Sequence, residues 1–486
     1  MKRGTIRLIG WEPQDTNSPA TKIVSAVTPG LPAEILPVGE APEVTPPNSA
    51  AAEAKLLLRI AAEVEGALMV EYLYAAYSLL PNVIVNAPAI DHPIMSDDWY
   101  DAIRDVAKQE MGHLLTVQNL LLSLNATPHM DRENFPIQSD LYPFAFHLQA
   151  LSQDTLAKGV AAEAPRDVRA EDRADYQTAV AAAVAAAGGK VSRVGQIYER
   201  LYFLFQDTDT PQSPWTTVVN PFPGWTQWHV DRALVGFNQD RQAEPSEWRG
   251  ADGTASPDTA VYVMPVSDKA SAREAIYRVA LQGEGPPSGE PGQTHFDKFL
   301  RIYREFRAYK AVPGAPAMIR TQALDPTTTQ GATGGITDPT TLLWANLANL
   351  RYQMLLLDIA LALSIGTIGS VPGTTAARRD FIAWAFGVEM LTSIKKLGEE
   401  LRAMPLHVGS ATDSMRAGLP FEVPGNRDLP STVPEQVAEL RKLVADSQVI
   451  RQRIRDEHSP TPRQLTLLTV LENADKSISA KIGSVA

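Results

Sequence analysis

The spacing of apolar residues along the chain predicts a mostly helical protein. Apolar side chains recur every three or four positions over long stretches, which places them on one face of an α-helix. This spacing predicts helices at 50–80, 102–124, 190–207, 267–284, 296–308, 340–365, 376–404 and 431–458, and a last one after Pro462. An alanine-rich stretch at 157–187 is expected to form a surface helix or a mobile hairpin. The expected fold class is therefore all-α.

Proline-rich segments divide the chain into four regions. Residues 1–50 contain too many prolines for a helix and are expected to be an N-terminal extension. Residues 51–310 hold the first helices and a long excursion at 208–267 that is rich in tryptophan and proline. The helices within 311–425 are too apolar to stand alone, so they are expected to pack on the first bundle. Residues 426–486 are expected to be a charged helical tail with an outer position or a place in a homo-oligomer interface.

Composition narrows the chemistry that the chain can perform. The 486 residues include no cysteine, which excludes disulfides, thiolate metal sites and cysteine nucleophiles. A metal would therefore be held by Glu, Asp and the 8 His residues, and this ligand set suits iron, manganese or a similar ion. The formal net charge of −12 comes without a basic stripe, so no nucleic-acid partner is expected.

Two apolar segments indicate whether the protein is secreted or inserted in a membrane. The run at 8–11 is too short for a secretory signal. The longer segment at 354–371 carries Asp358 and follows polar residues at helical spacing, so it predicts a buried core helix and not a membrane span. We therefore expect a cytoplasmic protein that has no membrane partner.

The strongest chemical signal is the pair Glu110 and His113, in the helix at 102–124. At about 100° per residue, both side chains lie within an apolar stripe formed by Ile103, Val106, Ala107, Leu114, Val117 and Leu121. A buried carboxylate is costly unless it is paired or binds a metal. Glu-x-x-His on an inward helix face is one of the ligand units of two-metal helical bundles. The alternative is that the pair only contacts polar groups in a helical core.

The helix at 50–80 has the same unusual feature. Glu65 lies in the middle of its apolar stripe, whereas Glu63 and Glu71 point elsewhere. Glu71 is more typical of a solvated or locally paired carboxylate, although it could also partner a cation. A second helix with an inward carboxylate favours the interpretation that these residues bind a metal.

Three further residues extend the candidate ligand set. Glu199 flanks the apolar stripe of the helix at 190–207, while Glu284 and His295 lie on either side of a Gly/Pro-rich insert. In two-metal bundles, two helices each supply a Glu and two others each supply Glu-x-x-His. Because the second Glu-x-x-His is replaced here by Glu284 and His295, we expect the second metal position to be irregular or more open.

Several segments between residues 51 and 425 together match a known pattern. They are 65–78, 109–120, Ile197-Tyr198-Glu199, Gln282-Gly283-Glu284-Gly285, His295-Phe296 and 401–406. These segments resemble the ferritin-like domain of the iminophenyl-pyruvate dimer synthases, enzymes of violacein- and rebeccamycin-type biosynthesis that oxidatively couple imines derived from tryptophan. The resemblance implies a ferritin-like four-helix bundle elaborated with extra C-terminal helices and long loops. The metal ligands that it implies are Glu65, Glu110, His113 and Glu199, with Glu284 and His295 near the site.

These observations favour a non-haem di-iron oxidase or oxygenase that acts on a small amino-acid-derived or indolic metabolite and uses O₂ or peroxide. The expected cofactor is iron, as two ions, with manganese or another divalent metal as the alternative. Tyr72 and Tyr202 are candidate proton or electron donors, and Glu71 or His295 could move a proton. We expect a pocket bounded by His295 and aromatic residues from 135–147 or 208–230. Two alternatives are hydrolysis by a metal-bound hydroxide and a storage or small-molecule-binding bundle without turnover.

Overall fold

The computed structural model describes residues 49–139, 142–189, 191–208, 229–248, 261–283, 294–365, 381–409, 415–423 and 429–483. The predicted N-terminal extension lies almost entirely outside the described residues, as does Glu284, and so does much of the predicted excursion at 208–267. Within the described residues the fold is helical apart from one two-stranded sheet, which confirms the all-α prediction.

The helices begin and end close to where the apolar spacing predicts them. In chain order they are α1 Ala50–Tyr77, α2 Ser96–Ser123, α3 Gln153–Ala162, α4 Arg173–Ala186, α5 Gly195–Leu204, α6 Lys269–Gly283, α7 His295–Lys310, α8 Pro339–Ser364, a π-helix Ala385–Ile394 that continues into α9 Lys395–Leu401, α10 Val433–Glu457 and α11 Pro462–Gly483. The sheet is an antiparallel hairpin between α1 and α2, in which β1 (Ile84–Val85) pairs with β2 (Ile94–Met95).

The first part of the chain packs around the two longest of these helices. α1 and α2 run along one another, and α5 and α6 pack together against them. α3 packs on α7, and α7 in turn contacts α2. Side chains that point inward from α1, α2, α3 and α7 can therefore meet in one place.

The alanine-rich stretch at 157–187 is not a surface element throughout, and the prediction was wrong for its first part. It contains the end of α3, in which every residue from Leu156 to Ala162 is buried, and then α4. The reason is close packing, because a Cβ atom at Gly159 would lie 3.0 Å from a ring carbon of Phe299 on α7. Small side chains let α3 approach α7 more closely than large apolar residues would.

The described part of the excursion at 208–267 crosses α2 at the Glu-x-x-His segment. A Cβ atom at Gly112 would lie 2.7 Å from the backbone oxygen of Tyr262, so only glycine fits at this crossing. Nearby, the side chain of Asn119 donates to the backbone oxygens of Ala243 and Met264, at 2.8 and 3.0 Å. The described part of the excursion is thus fixed against α2.

Buried charges join the C-terminal helices. The guanidinium of Arg351 on α8 contacts Glu389 of the π-helix, with 3.0 Å between Nη2 and Oε1, and also Asp475 of α11. Arg451 of α10 contacts the same Asp475, with 2.6 Å between Nη2 and Oδ2. Because charges buried in this way are stable only when paired, these contacts set the positions of four helices relative to one another. In the described residues, no helix has both the length and the apolarity needed to cross a bilayer.

Candidate metal centre

Five buried acidic and histidine side chains converge between α1, α2, α3 and α7, and Glu110 lies at their centre. One carboxylate oxygen of Glu110, Oε2, lies 2.9 Å from Nδ1 of His113. The other, Oε1, lies 3.0 Å from Nδ1 of His295. All three residues are at most 2% exposed. A single carboxylate therefore faces two imidazoles, one with each oxygen.

Two further glutamates complete the cluster, one beside each histidine. Oε2 of Glu65, on α1, lies 3.5 Å from Nδ1 of His113. Oε2 of Glu163, the residue that ends α3, lies 3.4 Å from Nδ1 of His295. The cluster thus has two similar halves, each with one glutamate and one histidine, and the halves share Glu110.

A glutamine contacts each imidazole at Nε2, the ring nitrogen that faces away from the centre of the cluster. Nε2 of His113 lies 3.1 Å from Oε1 of Gln282, and Nε2 of His295 lies 3.0 Å from Oε1 of Gln109. Since an amide oxygen only accepts, each Nε2 carries a proton, and the lone pair that a ring would offer to a metal after loss of its other proton is the one on Nδ1, which points into the cluster. Lys298 also donates to the oxygen of Gln109, at 3.1 Å, and thereby fixes which end of that amide faces His295.

Two tyrosines hold the outer glutamates. Tyr72 donates to Oε1 of Glu163 at 2.6 Å, and Tyr198 donates to Oε1 of Glu65. Burial, together with the neighbouring carboxylates, raises the pKa of both tyrosines well above its usual value, so both phenols stay protonated and act as donors. In each outer glutamate, Oε1 is therefore engaged by a tyrosine while Oε2 faces a histidine.

The electrostatics of the cluster favour a positive charge among the carboxylates. Burial and the charge of Glu110 raise the pKa of Glu65 and of Glu163. Burial alone would also raise the pKa of Glu110, but His295 and His113 hold it well below its usual range. Burial would lower the pKa of His113, yet Glu110 and Glu65 raise it to about 10. Three carboxylates in one buried space thus depend on neighbouring cations or protons.

The donor set fits a divalent metal. Three buried atoms in the cluster make no hydrogen bond, namely Oε2 of Glu65, Oε1 of Glu110 and Nδ1 of His295. One ligand atom from each of Glu110, His113 and His295 can be chosen so that all lie within 4.8 Å of one another. Buried polar atoms of this kind are costly unless something binds them, and carboxylate oxygens with imidazole nitrogens suit iron and similar ions.

A small cavity beside the cluster gives room for ligands. Its empty volume is about 260 Å³, and its polar lining comes from Glu65, Glu110, His113, Glu163 and Tyr198. A Cβ atom at Gly283 would lie 3.3 Å from Oε2 of Glu163 and 3.9 Å from Nδ1 of His295. The glycine at the end of α6 therefore keeps this side of the cluster clear.

The structure brings together four of the six predicted ligand residues. Glu65, Glu110, His113 and His295 lie in the cluster, while Glu284 lies outside the described residues. Glu199 is not part of it, because its carboxylate turns to Arg193, with 3.4 Å between Oε1 and Nη2. The side chain on α5 that reaches the cluster is that of its neighbour, Tyr198.

Sequence reasoning missed Glu163, which takes the place expected for Glu199. The signal available was weak: Glu163 is the one charged residue in the run from Gly159 to Pro165. The two supporting glutamines were also missed, although Gln109 directly precedes Glu110 and Gln282 lies two residues before Glu284. The spacing of residues along a helix does not distinguish a glutamine that contacts a histidine of the site from any other polar residue.

The predicted proton-moving residues lie at different distances from the cluster. Tyr72 contacts it directly through Glu163. Tyr202 lies one turn beyond Tyr198 on α5 and is buried, but Tyr198 is the one that lines the cavity. Glu71 lies outside the cluster, where its Oε1 accepts a hydrogen bond from the backbone N–H of His147 at 2.5 Å. Burial raises the pKa of Glu71 to about 8.

We predict that the double variant Glu110→Gln/His113→Gln loses bound metal while it keeps its helical content. The substitutions remove the shared carboxylate and one imidazole, but they leave polar side chains of similar size. The matched control is Glu63→Gln/His129→Gln, which changes a Glu–His pair outside the cluster with 2.8 Å between Oε1 and Nε2. Elemental analysis after loading with ferrous iron makes the comparison, and equal metal content in both double variants would contradict the assignment.

We further predict that Glu163→Gln lowers metal content whereas Glu199→Gln does not. Glu163 lies beside His295 inside the cluster, while Glu199 pairs with Arg193. Metal affinity, measured by competition with a chelator, is expected to fall by at least about tenfold to a hundredfold for Glu163→Gln, because loss of a direct ligand weakens binding no less than loss of a group that only supports a ligand. The reverse order of the two variants would show that the ligands predicted from sequence are the correct ones.

One comparison with known protein families agrees with this architecture. A family model described as Ferritin-like matches residues 58–304, which is just over half of the chain. Among solved structures, a ferritin-like protein from Caulobacter vibrioides is similar over 72% of this chain and 93% of its own, with 17% sequence identity and a TM-score of 0.40. No curated protein matches the chain. The matched residues include all five acidic and histidine members of the cluster, and the chain belongs to the Ferritin-like family.

Proposed function

We propose that this protein is a non-haem di-iron oxidase or oxygenase that acts on a small amino-acid-derived or indolic metabolite. The observation that carries the proposal is the position of Glu110, whose two oxygens each face a separate histidine–glutamate half. A carboxylate shared in this way is typical of sites that hold two metal ions. A site for one ion would not need two such halves.

The residues that would hold the two ions follow from this division. Glu65, Glu110 and His113 would hold one ion, and Glu110, Glu163 and His295 would hold the other. When bound, a pair of iron ions would give electrons to O₂ or peroxide in the reduced state and would accept electrons from an organic substrate in the oxidised state. Manganese fits the same ligands, so metal identity is part of the test.

The surrounding side chains would orient the metal ligands, donate protons and exclude water. Gln109 and Gln282 hold the two imidazoles in the tautomer that exposes Nδ1 to the cluster. Tyr198 and Tyr72 hold the outer glutamates, and each phenol O–H is a proton source in direct contact with a carboxylate. Because all of these groups are buried or nearly so, bulk water is kept away from the cluster.

The metabolite class in the proposal rests on the resemblance to the iminophenyl-pyruvate dimer synthases, which act on imines derived from tryptophan. Two features of this chain are consistent with a substrate and are not needed for storage. One is the excursion at 208–267, which is rich in tryptophan and whose described part packs on α2, and the other is an aromatic cleft next to Tyr72. Storage of many iron atoms would instead need a route from the cluster to a mineral core.

The experiment is oxygen consumption by the iron-loaded protein. With about two ferrous ions per chain, we expect O₂ uptake to be coupled to oxidation of an added substrate, such as the imine of indole-3-pyruvate generated from tryptophan. The Glu110→Gln/His113→Gln variant is the negative control. Uptake of many irons per chain into a mineral would mean storage, and a redox-inert ion in the protein as isolated would favour hydrolysis or a structural role.

A further inference from the structure

Two arginines contact the chain where α1 ends. The backbone N–H of Arg320 donates to the carbonyl oxygen of Ser78 at 2.8 Å. The guanidinium of Arg402, the residue that follows α9, donates to the carbonyl oxygens of Tyr77 and Leu79, each at 3.4 Å. Arg320 and Arg402 are therefore both attached to the same short stretch of backbone.

A third arginine, Arg416, pairs with the segment that carries Arg320. Its backbone N–H donates to the carbonyl oxygen of Thr321 at 2.9 Å, and its own carbonyl oxygen accepts from the N–H of Ala323 at 2.8 Å. Burial lowers the pKa of the Arg320 guanidinium, and the charges of Arg402 and Arg416 lower it further. Three segments that are distant in sequence thus bring three guanidinium groups close enough to repel one another. These three residues form the arginine cluster.

The arginine cluster forms no ion pair with a carboxylate in the parts of the chain that the structure describes. Nε of Arg320 is buried and makes no hydrogen bond. Glu399, in the last turn of α9, lies toward Arg463 of α11, with 3.9 Å between Oε2 and Nη2. All three arginines of the cluster are partly buried, so water screens their repulsion less than it would on an open surface. An anion bound among them would offset that repulsion.

The chemistry of the arginine cluster favours one class of anion. A guanidinium presents a planar fork of N–H donors that matches the oxygens of a carboxylate or a phosphate group. A carboxylate offers its oxygens in one plane and carries a single charge. A phosphate group offers more oxygens, which point in different directions, and it carries nearly two negative charges at neutral pH. Three neighbouring guanidinium groups therefore favour a phosphate group over a carboxylate or a chloride ion.

We propose that the arginine cluster binds a phosphate group, either as free inorganic phosphate or as the phosphoryl group of a small metabolite. The phosphate oxygens accept hydrogen bonds from Arg320, Arg402 and Arg416, and one of these bonds uses the unpaired Nε of Arg320. Along α1, Tyr77 lies about 18 Å from Glu65 at the rise of an α-helix. The phosphate site is therefore separate from the metal cluster, and it does not rest on the proposed oxidase function.

Isothermal titration calorimetry on the metal-free protein tests the proposal. The titrant is inorganic phosphate at about pH 7.5, where it is mostly a dianion, with the ionic strength held constant by sodium chloride. We expect saturable binding of one phosphate per chain and much weaker binding of acetate under the same conditions. The absence of saturable phosphate binding, or equal affinity for acetate, would overturn the proposal.

Variants of the arginine cluster locate the bound phosphate. Arg320→Gln and Arg416→Gln are each expected to weaken phosphate binding at least about tenfold, because each removes a positive charge and a charge-assisted hydrogen bond. Arg453→Gln is the matched control and should bind as the wild type does, since Arg453 is an exposed arginine on α10 whose Nε lies 3.0 Å from Oε1 of Glu457. Unchanged affinity in a folded cluster variant contradicts the assignment. Should both cluster variants fail to fold, the comparison of phosphate with acetate on the wild type still decides.

Two further titrations identify the source of the phosphate group and exclude the metal cluster as its site. Glycerol 3-phosphate that binds more tightly than inorganic phosphate would support the site and identify a phosphorylated metabolite as its ligand. The reverse order would support the site with free phosphate as the ligand. The double variant Glu110→Gln/His113→Gln is expected to bind phosphate with the wild-type affinity. Loss of phosphate binding in that variant would place the anion at the cluster histidines and contradict the proposal.

Discussion

The structure depends on how three glutamates can share one buried space. Glu65, Glu110 and Glu163 lie among apolar helices, where ionised carboxylates are destabilising by several kcal/mol each unless a positive charge is near. The imidazole of His113 supplies part of that charge, since Glu110 and Glu65 raise its pKa to about 10. A pair of divalent ions would supply more positive charge to the same three carboxylates. This requirement explains why the surrounding residues are so closely fixed.

The side chains of the cluster are held by hydrogen bonds, by close backbone packing and by the contacts between helices. Gln109, Gln282, Tyr72 and Tyr198 orient the atoms that face the centre. Glycines make the necessary space where backbone or carboxylate comes close, as at Gly112. The backbone that carries the ligands is held by packing between α1 and α2 and between α3 and α7. The site is therefore positioned by the core of the protein, and one of its supports, Tyr72, also forms part of a cleft that opens to solvent.

Sequence reasoning predicted the long elements and the residues in the middle of their stripes. Glu65, Glu110 and His113 lie on helices of 28 residues, where many apolar neighbours define the inward direction. It failed where elements are short. α5 has ten residues, and its stripe does not distinguish Glu199 from Tyr198. Glu163 ends an alanine-rich helix whose burial depends on contact with α7, and the sequence separation of 132 residues between Glu163 and His295 gives no local signal.

The most direct test of a two-metal centre shared through Glu110 is the anomalous scattering of iron-loaded crystals, measured on both sides of the iron absorption edge. We predict two iron peaks in each chain. One should be bounded by Glu65, Glu110 and His113, and the other by Glu110, Glu163 and His295. A single peak, or a peak bound by Glu199 in place of Glu163, would contradict the shared role of Glu110 between two equivalent halves.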